Sequence, residues 1–189
     1  MTAKRYQYAD TQNFWTLQDQ TLLDSLLKDR AMDPGSEDFT GVARASRVSM
    51  LKPGPGTEWL FRKISQALQI HNERFYGYKL EFVQDLQYTE YPEGEGYYGA
   101  HQDWGSAVYN GRDDLCRKLS FTIQLSDPST YDGGDLHIYY GEDFTLEAQR
   151  LRAQGTLITF PSFMLHEVKP VTRGIRRSLV GWCMGPDYQ

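Results

Sequence analysis

Two histidines and one aspartate of this 189-residue chain are of the types that hold a metal ion. His101 and Asp103 stand two positions apart in the run YYGAHQD, and residues two apart on an extended strand point to the same side. His166, in the run FPSFMLHEV, is the third ligand that we predict. Two histidines and one carboxylate on one face of a metal form the facial triad of non-haem Fe(II) sites, which leaves positions open for further ligands and O2.

The His-x-Asp pair alone is a weak sign of a metal site, because two polar side chains often share the exposed face of a strand. His166 adds to it because it follows the Phe-Pro-Ser corner at residues 160–162. At such a corner one strand ends and the next one starts, so a histidine there can face the mouth of a barrel.

After the His-x-Asp pair and His166, a third feature that indicates a ligand site is an arginine on the last predicted strand. Alternate residues of a strand share one face, which here carries Arg176, Ser178, Val180 and Trp182. The apolar Val180 and Trp182 favour the interior, and a buried arginine without a counter-charge is costly. A dicarboxylate cosubstrate would supply the anion through a bidentate pair with Arg176, assisted by Ser178. The alternative is a structural salt bridge to an Asp or Glu.

The first part of the chain predicts two helices. Apolar residues have helical spacing over residues 13–30 and again from Thr57, a plausible N-cap, to about residue 75. His71 lies on the apolar stripe of the second helix and is expected to be packed there, not to bind a metal. Residues 1–12 are expected to be a polar lead-in and residues 35–47 mostly loop.

After Gly77 the apolar period changes from helical to two residues, and Gly, Pro and Asp residues separate short strands. Many short strands of this kind favour a double-sheet jelly roll or barrel. We therefore predict a mainly β fold with flanking N-terminal helices. It would be one domain over residues 1–189, with helical support over about 1–78 and a jelly-roll core over about 79–185.

Composition narrows the function classes. The net charge is −5, and no basic tail marks a nucleic-acid binder. The two cysteines are too few for a disulfide framework and lack a zinc spacing. The N-terminus has no apolar signal region and no apolar run approaches the length of a membrane span. We expect a cytoplasmic protein without a membrane partner, in a reducing compartment that suits ferrous iron.

Several stretches resemble the 2-oxoglutarate- and Fe(II)-dependent oxygenase superfamily, in particular its prolyl 4-hydroxylase-like branch of bacterial and phage type. They read QYTEYPEGEGYYGAHQD, DGGDLHIYYG, GTLITFPSFMLHEVKPVTRG and RRSLVGW, with SRVSML and NERFYGYKL upstream. The resemblance spans most of residues 40–185 and implies a double-stranded β-helix, the jelly-roll fold of cupins.

The resemblance also implies roles for single residues. His101, Asp103 and His166 would hold Fe(II), and Arg176 would bind the distal carboxylate of 2-oxoglutarate with help from Ser178. Tyr91 lies ten residues before His101 and becomes a candidate contact for cosubstrate or substrate, or a packing aromatic of the turn.

The implied reaction consumes 2-oxoglutarate and O2, releases succinate and CO2, and hydroxylates an unactivated C–H; ascorbate would support it in vitro. Asp103 favours hydroxylation, because halogenating relatives have a small residue in its place.

Three features are harder to assign. Some prolyl hydroxylases have a second tyrosine on the strand that here reads FTIQLSD, which has none. The connection at residues 104–118 is expected to be a mobile loop over the pocket with Trp104 or Tyr109 as contacts, or a plain exposed hairpin. His137 is expected to have a surface or supporting role.

Several functions remain open at this stage. The leading one is hydroxylation of a prolyl residue in a protein or peptide, and the next is the same chemistry on a free amino acid or other small molecule. A nucleic-acid demethylase would need a basic patch around Arg173, Arg176 and Arg177. A non-catalytic jelly-roll binding module and a cupin-type isomerase are the alternatives from other classes. The oligomeric state is not readable from the sequence.

Overall fold

A computed structural model of the chain describes residues 8–37, 41–104, 112–139 and 151–187. This part contains helices α1 (Leu17–Leu27) and α2 (Glu58–His71), and α2 continues into a π-helical turn (Asn72–Tyr76). Its strands are, in chain order, β1 (Ala9–Thr11), β2 (Asp33–Glu37), β3 (Ala43–Leu51), β4 (Phe82–Val83), β5 (Leu86–Pro92), β6 (Tyr97–His101), β7 (Leu115–Gln124), β8 (Asp132–Gly133), β9 (Leu136–Ile138), β10 (Leu157–Pro161), β11 (His166–Val168), β12 (Val171–Arg173) and β13 (Ile175–Pro186).

The described strands form one curled antiparallel sheet and a small ribbon. The sheet order is β1-β10-β7-β13-β5-β3-β6-β11-β9, with β2 added to β3 and β4 added to β13, and β8 pairs with β12 separately. Strand β3 joins two parts of the sheet, since Arg44 pairs with Tyr98 of β6 and Leu51 pairs with Leu86 of β5. The predicted mainly β fold with flanking helices is confirmed.

Strand β7 is buried on both faces, which explains its position at the centre of the sheet. Its apolar residues Leu119 and Ile123 join the core that α2 covers with Leu60 and Ile64. Its polar residues alternate with these and therefore face the inside of the curled sheet. A sequence in which apolar and polar residues alternate thus supplies a helix-covered core on one side and a polar interior on the other.

The helices pack where the apolar spacing predicts. Helix α1 begins with a capping box, in which the Asp19 backbone N–H donates to the Thr16 hydroxyl and the Asp19 carboxylate accepts from the Thr16 backbone. On α2, His71 is buried, and its two ring nitrogens each lie 2.8 Å from a hydroxyl, that of Thr11 or Thr159. The prediction that His71 is a packed helix histidine is confirmed.

Four segments differ from the sequence-based expectation. Residues 33–37 and 43–47 are strands, not loop, and Ala9–Thr11 of the expected lead-in pairs with β10. The N-terminal part therefore supports the core with strands as well as helices. Strand β7 also begins at Leu115, within the expected loop, because it pairs with the end of β13. The sequences of these segments are too short or too polar to show a strand pattern, because the strands are stabilised by pairing with distant parts of the chain.

Among the described helices, none combines the length and the apolar character that crossing a membrane requires.

Candidate metal centre and its cavity

His101, Asp103 and His166 come together in one buried cluster. One possible ligand atom from each lies within 4.8 Å of the others. The pairing of β6 with β11 places His101 directly opposite His166. Asp103 Oδ1 is 3.5 Å from Nε2 of His101, and its Oδ2 is 3.4 Å from Nε2 of His166. Three donors of this kind at this spacing fit a first-row divalent metal such as Fe(II).

Backbone carbonyls orient both histidine rings. Nδ1 of His101 lies 2.8 Å from the Gly99 carbonyl oxygen, and Nδ1 of His166 lies 3.0 Å from that of Met164. A carbonyl oxygen only accepts hydrogen bonds, so each Nδ1 carries the proton. Each Nε2 is then left with its lone pair directed to the cluster, as a metal-binding histidine requires.

The electrostatics keep the carboxylate ionised and the histidine neutral. Burial by itself raises the pKa of Asp103, but the nearby His166, His101 and Arg117 outweigh it and hold this pKa well below the usual range. Burial lowers the pKa of His166, although Asp103 opposes the shift. A metal binds the deprotonated forms of these groups, so neither residue has to lose a proton at neutral pH.

The cluster opens into a cavity of about 230 Å³ that is also lined by Arg176, whose side chain is fully buried. Arg176 Nη2 donates to Oε1 of Gln124 at 3.0 Å, while its Nε and Nη1 have no hydrogen-bond partner in the described ranges. The hydroxyl of Ser178, on the same face, also has none. Arg176 has no salt bridge to a carboxylate among the described residues, so this alternative is not what the structure shows.

Of the other residues named from the sequence, some line the cavity and others lie outside it. Tyr91 is buried and lines the cavity, with its ring centre 5.3 Å from Cζ of Arg176. His137 lies outside the cluster, on β9, with its Nδ1 4.0 Å from the Glu167 carboxylate, in agreement with a supporting position. In place of the missing tyrosine, β7 presents Gln124 to Arg176 and the unpartnered hydroxyl of Thr122 to the cavity.

The basic patch that a nucleic-acid demethylase would need is not formed by the three arginines near residue 175. Arg173 pairs with Asp132 at 2.6 Å, and Arg177 pairs with the Glu90 carboxylate at 2.9 Å. Arg176 is buried. Their charges are therefore neutralised or enclosed, and they do not form an exposed surface for phosphates.

Most of the expected pocket loop lies outside the described residues, namely 105–111 with Tyr109. Trp104 is described and its side chain is 47% exposed. The substrate-selecting role of this connection stays a prediction.

Sequence reasoning missed several polar residues of the cavity, and the common signal is alternation on strands. Arg44 on β3, Gln87 on β5 and Arg117 on β7 reach the cavity, beside Trp182 of β13, which was expected on the inward face. Arg117 stacks on Trp182, with its Cζ 3.9 Å from the ring centre. The inward position of Trp182 was predicted from the alternation of β13, and Arg117 could have been found from that of β7 in the same way. Arg44 could not, because its segment was expected to be loop.

A family model and relatives of known name indicate the family to which the chain is similar. Residues 86–184 match the model of the 2OG-Fe(II) oxygenase superfamily. A PKHD-type hydroxylase of Idiomarina loihiensis is 42% identical over 53% of this chain and 44% of its own length. One from Picosynechococcus is 37% identical over 70% of this chain and 57% of its own length. The chain thus spans about half the length of the curated relatives that it matches.

Solved structures show the same fold at low sequence identity. A Pseudomonas putida prolyl-4-hydroxylase has a TM-score of 0.70 and 22% identity, and the match covers 94% of this chain and 92% of that one. A viral collagen prolyl hydroxylase from Paramecium Bursaria Chlorella virus-1 has a TM-score of 0.64 and 18% identity, with 98% and 99% covered. The chain belongs to the 2OG-Fe(II) oxygenase superfamily, and its jelly-roll fold is that of prolyl 4-hydroxylases.

Proposed function

We propose that this chain is an Fe(II)- and 2-oxoglutarate-dependent dioxygenase that hydroxylates an unactivated C–H, with succinate and CO2 as coproducts. The observation that carries this proposal is the buried cluster of His101, Asp103 and His166 in a cavity that also contains an unpaired arginine. A non-catalytic binding module has no need of both features in one cavity.

The donor set of this site fits the cofactors that the family uses. His101 and His166 would hold Fe(II) through Nε2 and Asp103 through a carboxylate oxygen. Bound there, the metal would supply the activation of O2 and the oxidation of 2-oxoglutarate. Arg176 would bind the far carboxylate of 2-oxoglutarate, since its Nε and Nη1 are buried and unpartnered. The hydroxyl of Ser178 would assist Arg176, and the ring of Tyr91 would cover the guanidinium and the carboxylate that it binds.

The protein itself would orient the metal ligands and exclude water from the site. The two histidine rings are fixed by the carbonyls of Gly99 and Met164, so they keep one tautomer throughout. Burial of the cluster, with each ligand residue 6% exposed, keeps bulk water away from the reacting centre. Such pre-organisation favours reaction with the bound substrate over side reactions.

For the substrate we propose a prolyl residue in a protein or peptide, with a free amino acid or other small molecule as the second candidate. The names of the relatives and the fold of prolyl hydroxylases support the first. Within either class a compound that carries a carboxylate is favoured, because the cavity contains a second buried arginine, Arg44, whose Nη2 lacks a hydrogen-bond partner among the described residues. We also propose a reducing, cytoplasmic location, supported by the two buried free thiols of Cys116 and Cys183.

The test is product analysis. The protein is incubated with Fe(II), 2-oxoglutarate, ascorbate and O2 and with a panel of proline-containing peptides and free amino acids, and mass spectrometry looks for products that are heavier by one oxygen atom. The proposal predicts such a product in wild type and none in His101→Ala. If the wild-type protein neither binds 2-oxoglutarate nor converts it to succinate, the binding-module alternative takes its place.

A further inference from the structure

Arg44, on β3, is a second buried arginine of the cavity, and the contacts of its side chain within the described part of the chain are with neutral groups. The residue is 9% exposed. Its Nε donates to the Ser46 hydroxyl at 2.7 Å, and its Nη1 lies 3.5 Å from Oε1 of Gln87, at the limit of a hydrogen bond. Its Cζ lies 4.9 Å from the ring centre of Tyr98.

The third nitrogen of this guanidinium has no partner. Nη2 of Arg44 is buried and makes no hydrogen bond, and no carboxylate forms a salt bridge with this arginine among the described residues. A buried guanidinium that lacks an anion is costly, because the neighbouring dipoles replace its hydration only in part. Its planar fork of donors matches a carboxylate.

The cavity as a whole carries an excess of positive charge. Its ionised lining side chains are those of Arg44, Arg117, Arg176 and Asp103, and the two histidines of the cluster are neutral when they bind a metal. An Fe(II) ion and a 2-oxoglutarate dianion would cancel each other. Even with Arg117 left out of the count, Arg44 and Arg176 against one carboxylate leave positive charge that the cofactors do not neutralise.

Arg44 and Arg176 contact different residues of the cavity lining, Gln87 and Tyr98 in one case and Gln124 and Tyr91 in the other. Arg176 pairs across the strands with Tyr91, and Val180 pairs with Gln87, the neighbour of Arg44. These two pairs are four residues apart on β13, which is roughly 13 Å along a strand. Arg44 is instead close to the metal cluster, since the Tyr98 ring that it covers stacks on His101 with 3.7 Å between ring centres.

We propose that Arg44 binds a carboxylate of the primary substrate and holds it next to the metal centre, with Gln87 as a neighbouring hydrogen-bonding group. This proposal rests on the proposed function and specifies its substrate class. The carboxylate could be the α-carboxylate of a free amino acid or that of an acidic residue beside the oxidised one in a peptide.

The surroundings of Arg44 leave room for either source. Arg44 also lines an outer groove of about 390 Å³, whose walls include Pro34, Arg47, Pro92 and Glu95. Arg44 lines both spaces, so a longer substrate that extends along this groove would still present its carboxylate to Arg44.

The experiment compares matched pairs of compounds that differ only in this charge. The pairs are L-proline with L-prolinamide, and a blocked Ala-Pro-Asp-Ala peptide with its Asp-to-Asn counterpart. Two quantities are measured for each compound: kcat/KM for substrate-stimulated succinate formation, and the rise in Tm of the protein loaded with Mn(II) and 2-oxoglutarate. The proteins are wild type, Arg44→Gln, Arg44→Lys and, as the control, Arg62→Gln, which removes an exposed arginine of α2.

The expected result is that wild type and Arg62→Gln prefer the carboxylate in at least one pair by roughly ten- to a hundred-fold, the range for a hydrogen-bonded charge pair. Arg44→Gln should lose this preference while its KM for 2-oxoglutarate stays unchanged, and Arg44→Lys should keep part of it. The free amino acid pair and the peptide pair then identify the source of the carboxylate.

Two results would overturn the proposal. One is that wild type shows no preference for a carboxylate in either pair, by turnover or by Tm. The other is that the preference persists in both Arg44 variants. Failure of the proposed function is a different result, namely no succinate and no rise in Tm with 2-oxoglutarate itself, and the Tm measurement still reports carboxylate binding in that case.

Discussion

The Ser120 hydroxyl donates a hydrogen bond to Oδ2 of Asp103 at 2.7 Å, and the Ser162 hydroxyl lies 2.9 Å behind it. Both serines are fully buried. This contact matters because β6 ends at His101, so strand pairing does not hold Asp103. The Trp104 backbone N–H, which donates to the Ser162 carbonyl at 2.9 Å, fixes the same segment. Ser120 and the corner at Ser162, which precedes His166, therefore position Asp103 together.

Replacing Ser120 by alanine should weaken metal binding. The carboxylate would lose the donor that fixes its rotamer, and the loss of such supporting hydrogen bonds typically lowers metal affinity by roughly ten- to a hundred-fold. Titration with Mn(II) measures this affinity without turnover. Ser162→Ala removes only the group behind Ser120 and should have a smaller effect. Equal Mn(II) affinity in wild type and Ser120→Ala would show that the contact does not position Asp103.

Replacing Arg176 by methionine should have opposite effects on stability and on cosubstrate binding. Without 2-oxoglutarate, the variant should be as stable as wild type or more stable, because an unpaired buried charge is exchanged for an apolar side chain of similar length. Its affinity for 2-oxoglutarate should fall by roughly a hundred-fold or more. Calorimetry of both proteins with and without 2-oxoglutarate checks this. A strongly destabilised variant with normal affinity would mean that Arg176 is structural.

Gly134 should tolerate no side chain, since it allows Arg176 to reach its position. Its φ is +65°, and an added Cβ would lie 2.9 Å from both Cδ of Arg176 and Cγ2 of Val171. We expect Gly134→Ala to raise the KM for 2-oxoglutarate several-fold more than it lowers kcat. Gly77→Ala is the matched control, because Gly77 also has a positive φ but no atom near its added Cβ. If the two variants have the same KM, the close approach to Arg176 has no functional effect.

His71 should make the protein less stable in mild acid. Burial lowers the pKa of His71, an effect that Arg74 reinforces and Asp10 opposes. Since the folded-state pKa lies below the unfolded value of about 6.5, the unfolded chain takes up the proton first as the pH falls. The contribution of His71 is therefore complete above that value and is lost progressively below it.

Urea unfolding at a series of pH values from 8 to 5 measures this contribution. His71→Gln should be less stable than wild type at pH 8 by roughly 1–3 kcal/mol, because the hydroxyls of Thr11 and Thr159 lose a well-placed partner. The difference should shrink as the pH falls, because all other ionisable groups are common to both proteins. A difference that does not change with pH would contradict the assigned shift.

The parts of the site that the sequence predicted are those encoded by local alternation. His101 with Asp103, and Arg176 with Ser178, are each separated by two positions, so a strand pattern is enough to place them on one face. The partners of these residues depend on long-range pairing instead. Ser120 reaches Asp103 only because β7 lies next to the corner at Ser162, and no local pattern contains that information.

The strand that carries Arg44 could not be predicted from local sequence either. Its segment is polar because one face of β3 lines a polar cavity, and a polar segment next to glycines favours loop in a reading of sequence alone. The pairing of Arg44 with Tyr98 across β6 is what turns it inward. Predicting this contact would have required the strand order of the sheet.

The most direct test of the account is succinate formation from 2-oxoglutarate with Fe(II), ascorbate and O2, in wild type and in single alanine variants of His101, Asp103 and His166. We predict succinate above background in wild type even before the substrate is known. Each variant should lose it, while the variant proteins still unfold cooperatively. If one of these variants forms succinate at the wild-type rate, the metal centre is not where His101, Asp103 and His166 meet.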